Sequence, residues 1–220
     1  MNIVLSLLST SVTIIFAILV LRQYASRRKP YQLVWGLALI MFGIGTGCEL
    51  VAAIGGWSLL PYELWWTFGA FFGAAYLGQG TVYLLAPRWV AHLTLAILGI
   101  SSVVAAYSIS SAPINIGDFA LINAGQMPLN EAMPKNIRLF TIPFNVYGTV
   151  ALIGGAIYSA AYYRSKKTMG SRALGNILIA VGAMVVAAGG TVAKAGRPEY
   201  LFVAELVGMA IIFAGYLKTR

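Results

Sequence analysis

Seven apolar segments, at 3–21, 32–54, 62–85, 90–109, 139–163, 173–193 and 200–217, fill nearly all of the 220-residue chain. Each is about 18–25 residues, enough for a helix to cross a hydrocarbon layer of roughly 30 Å. In lipid no water satisfies the backbone, so a long apolar run must close its own hydrogen bonds as a helix or join a closed barrel. The runs are continuous rather than alternating, which argues against the barrel. Hydrophobic residues make up 60% of the chain and charged residues 10%, less than half the charge of an ordinary soluble domain. The expectation is an all-α, polytopic bundle of seven transmembrane helices forming a single transmembrane domain, placed in the cell's inner (cytoplasmic) membrane. The first segment is read as a retained helix rather than a signal peptide, because only Met1 and Asn2 precede it and no small-residue cleavage site stands before Arg22.

Lys and Arg set the orientation. Arg22, Arg27, Arg28, Lys29, Arg88, Arg164, Lys166, Lys167, Arg172, Lys218 and Arg220 fall on one side of the seven segments, and Lys135, Arg138, Lys194 and Arg197 on the other. The positive-inside rule puts the larger group in the cytoplasm, with the N-terminus outside and the C-terminus inside. The same placement accounts for the net charge of +9. These cations border helix ends, where they meet anionic lipid head groups, so the lipid bilayer is the expected partner and nucleic acid is not.

The last three segments repeat the first three. At an offset of 139, residues 10–78 align without a gap on 149–217, with 12 identities in 69 positions. Tyr24–Arg28 falls on Tyr163–Lys167, Gly36 on Gly175, Gly43 on Gly182 and Gly69 on Gly208. The expected organisation is three plus one plus three, as parallel repeats. Repeat one covers 1–86, a linker helix 87–109, an outer loop 110–138 and repeat two 139–220. This plan resembles sugar-facilitator (SWEET-like) and PQ-loop transporters, and also microbial rhodopsins, which share an outside N-terminus. The whole chain is similar to uncharacterised bacterial seven-helix membrane proteins. The first resemblance implies transport of a small solute between two repeats. The family motifs differ here: helix one has no proline and no Pro-Gln dipeptide occurs. Rhodopsins carry a retinal-binding lysine in helix seven, whereas residues 200–217 contain none, which argues against covalent retinal.

Other chemistry is sparse. One histidine, His92, excludes bis-histidine haem within one chain. One cysteine, Cys48, excludes a disulfide framework and reads as a small packing residue. No metal site and no catalytic motif emerges from the spacing, so an enzyme is unsupported. Lipid, quinone or pigment inside the bundle stays open, because apolar cofactors need no polar signature.

Two carboxylates stand out. A charge at membrane depth costs several kcal/mol unless it is paired, solvated or protonated. Glu49 lies about five residues from the outer end of helix two, and Glu205 about five residues into helix seven, so both sit roughly 8 Å below the outer boundary. Helical spacing puts Phe42, Gly45, Thr46, Ala52 and Ala53 on the face of Glu49, and Gly208, Met209 and Ile212 on that of Glu205. With Asn145 and Trp66, the repeat counterpart of Glu205, these carboxylates are expected to line an outward polar pocket for a proton, cation or amine. The competing reading is structural: each Glu bonds Thr, Trp or Tyr donors, or pairs with Lys194 or Arg197. Trp57, Trp65 and Trp66 read as an outer aromatic belt, with Trp35 and Trp89 near the inner boundary. Gly43 with Gly47, and Gly69 with Gly73, form small-xxx-small pairs for helix crossings. The outer loop holds Pro113, Pro128 and Pro134, and 130–136 is its expected short amphipathic helix, carrying Met133 with Met127 and Leu129 nearby.

Three functions compete: a small-solute transporter or facilitator, an accessory subunit of a larger energy-transducing membrane complex, and a receptor-like sensor. A homo-oligomer fits the first, foreign subunits the second.

Overall fold

The computed structural model of the protein describes residues 2–124, 126–127, 129–165, 170–194 and 199–219, with the side chains of Asn2, Lys194 and Glu199 excepted. Pro128, Lys166, Lys167, Arg197 and Arg220 therefore lie outside the described residues, as does the Lys194 side chain. The long helices are α1 (Asn2–Arg27), α2 (Pro30–Gly55), α5 (Arg88–Ser110), α7 (Lys135–Ser165), α8 (Gly170–Lys194) and α9 (Glu199–Thr219). These six are long and apolar enough to cross a membrane, and the chain is a multi-pass membrane protein. The segment expected as a third span is also helical throughout, but not uniformly so. It runs as α3 (Leu59–Leu64), a nine-residue π-helix (Trp65–Gly73) and α4 (Ala74–Leu85).

Local chemistry sets the breaks. Pro30 stands in the first turn of α2, where its missing N–H costs nothing, and Gly56 closes the helix at φ +83°, its N–H bonded to Ala52 C=O. Pro87 precedes α5. Asn115 caps the short helix α6 (Ile116–Asn123) by accepting from Gly117 N–H at 2.9 Å. This is where the loop carries its helix. Residues 129–132 are turns and α7 already begins at Lys135. The expected helix at 130–136 is displaced because Met133 is fully buried in the core and Leu129 lines a cavity, so neither lies on a surface. Pro143 sits in the third turn of α7 and leaves the Leu139 carbonyl without its helical donor.

The helices close a ring. α1 packs on α2, α2 on the π-segment and α4, α4 on α7, α7 on α8, α8 on α9, and α9 on α1. α5 lies outside it, against the π-segment, α4 and α7. Its outer face is apolar and open, with Ile100 69% and Val103 71% exposed, as suits a helix facing acyl chains.

Glycines set the closest approaches. A Cβ on Gly182 would stand 2.5 Å from the Gly208 carbonyl oxygen, and one on Gly175 would stand 2.7 Å from that of Gly215. The α8–α9 pair is therefore packed backbone to backbone. Between α2 and the π-segment the crossing is made by Gly45 and Gly69, where a Gly45 Cβ would meet Gly69 Cα at 2.9 Å. The expected Gly43–Gly47 pair does not make it: a Cβ on Gly47 would meet open space, and one on Gly43 only ordinary contact with Thr13. Gly43 is turned toward α1 instead, and the small residue that α2 presents to the π-segment is Gly45.

Candidate functional site

The two carboxylates that stood apart by sequence, one on α2 and one on α9, face each other across the ring. Glu49 is 2% exposed and Glu205 8%. Their carboxyl groups meet side chain to side chain. Trp65, from the first turn of the π-segment, donates its indole N–H to Glu49 Oε1 at 2.8 Å. Oε2 of each carboxyl is buried with no hydrogen-bond partner. Two carboxylates in contact and away from water repel each other, so the pair calls for a proton or a cation between its two groups.

A cavity of about 500 Å³ adjoins this pair. It is walled by the π-segment, α4, α7, α8 and α9, with Leu129 and Asn130 at the end of the bundle that carries the 111–134 loop. Glu205, Trp65, Trp66 and Asn145 all line it. Glu49 and Thr46 do not: Glu49 meets Glu205 and Trp65 of that wall, and Thr46 bonds to Thr10 of α1. The walls are otherwise apolar, with Thr141, Thr149 and Thr191 the other polar groups beside Asn130. A volume of this order holds a small organic molecule.

The π-segment shapes the wall. Trp66 is 3% exposed and stacks edge-on with Tyr62 and Trp65, at centroid distances of 6.3 and 5.5 Å. Trp66 is thus an interior residue, correcting the expectation that it belongs to an outer aromatic belt, whereas Trp65 is half-buried with its indole N–H turned to Glu49. Asn145 of α7 donates to the carbonyls of Ala70 at 2.9 Å and Thr141 at 3.0 Å. Its amide nitrogen ties α7 to the π-segment, so it positions the wall. Thr46 shares the α2 face of Glu49, as its spacing implies, but its hydroxyl accepts from Thr10 Oγ1 at 3.0 Å and donates to Gly43 C=O. It joins α2 to α1. The expected alternative counter-ions, Lys194 and Arg197, fall on side chains outside the described residues.

Other polar groups tie helices together or bond within them. Gln79, fully buried, donates to Ala91 C=O at 2.8 Å and accepts from the Tyr147 hydroxyl, joining α4, α5 and α7. Asn176 donates within α8 to Arg172 C=O. His92, exposed at the start of α5, meets the Tyr83 hydroxyl at 2.9 Å. No cluster of metal-ligating His, Cys, Asp and Glu occurs among the described residues. Sequence reasoning missed two things: Trp65 as the partner of Glu49, and the π-segment that presents it.

No family model, curated protein or solved structure matches the chain.

Proposed function

We propose that the protein is a small-solute transporter of the inner membrane, and that its substrate is a small organic cation such as an amine. The carrying observation is the cavity between the π-segment with α4 and the α7–α9 group, where Glu205 stands in the same wall as Trp65 and Trp66. A carboxyl group supplies the charge for an ammonium head, and two indole rings supply faces that attract cations once water is excluded. The apolar remainder of the wall suits the substrate's hydrocarbon part.

The wider arrangement supports the same reading. The cavity lies between the two stretches related by the 139-residue offset, where repeat-built transporters place their sites. Gly69 and Gly208, equivalent under that offset, both sit at tight crossings, with Gly45 and Gly182 respectively. Counting the α3–π–α4 rod as a span gives seven, with the N-terminus outside and the basic loops in the cytoplasm. The 111–134 end then faces outward and Glu205 lies toward that side.

Binding is tested with tetraethylammonium and benzylamine on the full chain in lipid nanodiscs. Both should quench tryptophan emission saturably, and Glu205→Gln should weaken the effect at least tenfold. Liposomes bearing the protein should accumulate radiolabelled tetraethylammonium faster than empty ones. Quenching unchanged in Glu205→Gln, with no uptake above empty liposomes for either amine, would overturn this function. Foreign subunits retained in native mass spectrometry would instead favour the accessory-subunit reading.

A further inference from the structure

On α1, which contributes nothing to the cavity wall, three hydroxyls are buried without hydrogen-bond partners. Ser6 and Ser9 are 1% exposed and Thr13 fully buried, and none of their oxygens has a partner. A serine or threonine on a helix normally bonds the carbonyl one turn back when nothing better is near, as Ser11 does to Leu7 C=O. These three do not, and burying an unmet hydroxyl costs about 1–3 kcal/mol.

The helix registers show what they face. α1 packs on α2 and α9, so a buried face of α1 is turned toward one or both. Thr10 meets Thr46. One turn further along this antiparallel pair, Ser6 comes level with Glu49. Phe16 meets Phe213 and Tyr216, each at 5.0 Å. Carried back two to three turns along that parallel pair, the register sets Ser6 and Ser9 level with Glu205. The first register thus brings Ser6, and the second both serines, to within about one turn of the depth of the carboxyl pair, and Thr13 continues the row one turn inward. The unpartnered Oε2 atoms of Glu49 and Glu205 complete a set of buried oxygens at one level.

We propose that Ser6, Ser9, Glu49 and Glu205 form a binding site for a dehydrated alkali cation such as Na+. The ligand atoms are all oxygens, the donor type of hard cations. A carboxyl pair that shares one proton has one negative charge, which one monovalent ion neutralises and a divalent ion would overcompensate. Ion binding meets the otherwise unmet oxygens. The site itself stands apart from the transport function, but its consequence rests on that reading. Glu205 borders both the cavity and the ion site, so a single charge serves either the organic cation or the alkali ion. The two then compete, and transport is an exchange.

The test uses the full chain in nanodiscs, with NaCl or KCl replacing choline chloride at constant ionic strength and pH. Trp65, bonded to Glu49, is the reporter. Alkali chloride should shift tryptophan emission saturably and raise the melting temperature by several degrees. It should also raise the apparent Kd for benzylamine in proportion to its concentration. Ser6→Ala with Ser9→Ala should weaken the alkali effect at least tenfold, in protein whose helicity and monodisperse elution match the parent. No saturable response to Na+ or K+, a response to CaCl2 alone, or a response to pH alone would each overturn the ion site. An alkali response without amine quenching or uptake would keep the ion site and remove the transport function. Amine quenching without an alkali response would do the reverse.

Discussion

Trp65 holds the geometry of the carboxyl pair together by giving Glu49 Oε1 its hydrogen bond at 2.8 Å. Replacing it with Phe keeps an aromatic ring but leaves a buried carboxyl oxygen unmet. Hydrogen bonds within membrane bundles and to charged groups bracket the cost at about 1–2 kcal/mol, so Trp65→Phe should lower the melting temperature in detergent. Glu49→Gln keeps an acceptor for the indole while removing the shared charge, and should unfold at a temperature closer to that of the parent. A Trp65→Phe protein as stable as the parent would mean that the indole does not hold Glu49. At this scale the sequence was half legible. Glu49 and Glu205 stand out because a charge in hydrocarbon demands a reason, whereas Thr46, one turn from Glu49, bonds to α1 and does not line the cavity. Helical spacing, however, does not show which of several donors a carboxyl takes. Trp65 and Trp66 carry the residue type and position of a boundary aromatic, and nothing in their spacing shows that Trp66 is buried while Trp65 turns its N–H to Glu49. Asn145 was named for the right wall but acts through the Ala70 carbonyl, a tertiary contact that no local pattern encodes.

Among the elements, the α8–α9 pair depends most directly on its glycines. A side chain at Gly182 meets the Gly208 carbonyl oxygen and the Ile212 backbone, neither of which can move aside without parting the helices. Gly182→Val should therefore destabilise the protein by about 1–3 kcal/mol, the usual range for overpacking. Gly47→Ala, which enters open space, should change stability by no more than about 0.5 kcal/mol. Denaturant unfolding of both variants in one detergent makes the comparison, and equal effects would show that these helices do not cross where their glycines lie. Helix positions were legible because apolar runs and prolines mark them strongly. The π-helix was not, since a reading based on 3.6 residues per turn sees only a helix through Trp65–Gly73. The loop helix was displaced for a similar reason: Met133 looks like the apolar face of a surface helix, yet it is buried in the core, and Asn115 supplies the cap for a helix further upstream.

The whole molecule is a ring of helices around a carboxyl pair and a cavity, with α5 outside. Its expected orientation is tested on a Cys48→Ser background. A cysteine at exposed Ser111 should react with a membrane-impermeant maleimide on intact cells, and one at exposed Ser26 only after permeabilisation; the opposite pattern would invert the topology. The bundle was readable from hydropathy alone, whereas ring closure by α9 on α1 depends on contacts such as Phe16 with Phe213 that have no signature in either segment. Side-dependent accessibility of the cavity wall tests most directly whether the cavity beside Glu205 takes an organic cation across the membrane. On the same background, a cysteine at Thr149, in the cavity wall, should be labelled by an impermeant maleimide from either side of the membrane in separate experiments. Tetraethylammonium should slow both reactions. Labelling from one side alone, or from neither, with no protection by tetraethylammonium, would contradict the account and leave Glu49 and Glu205 as a structural pair.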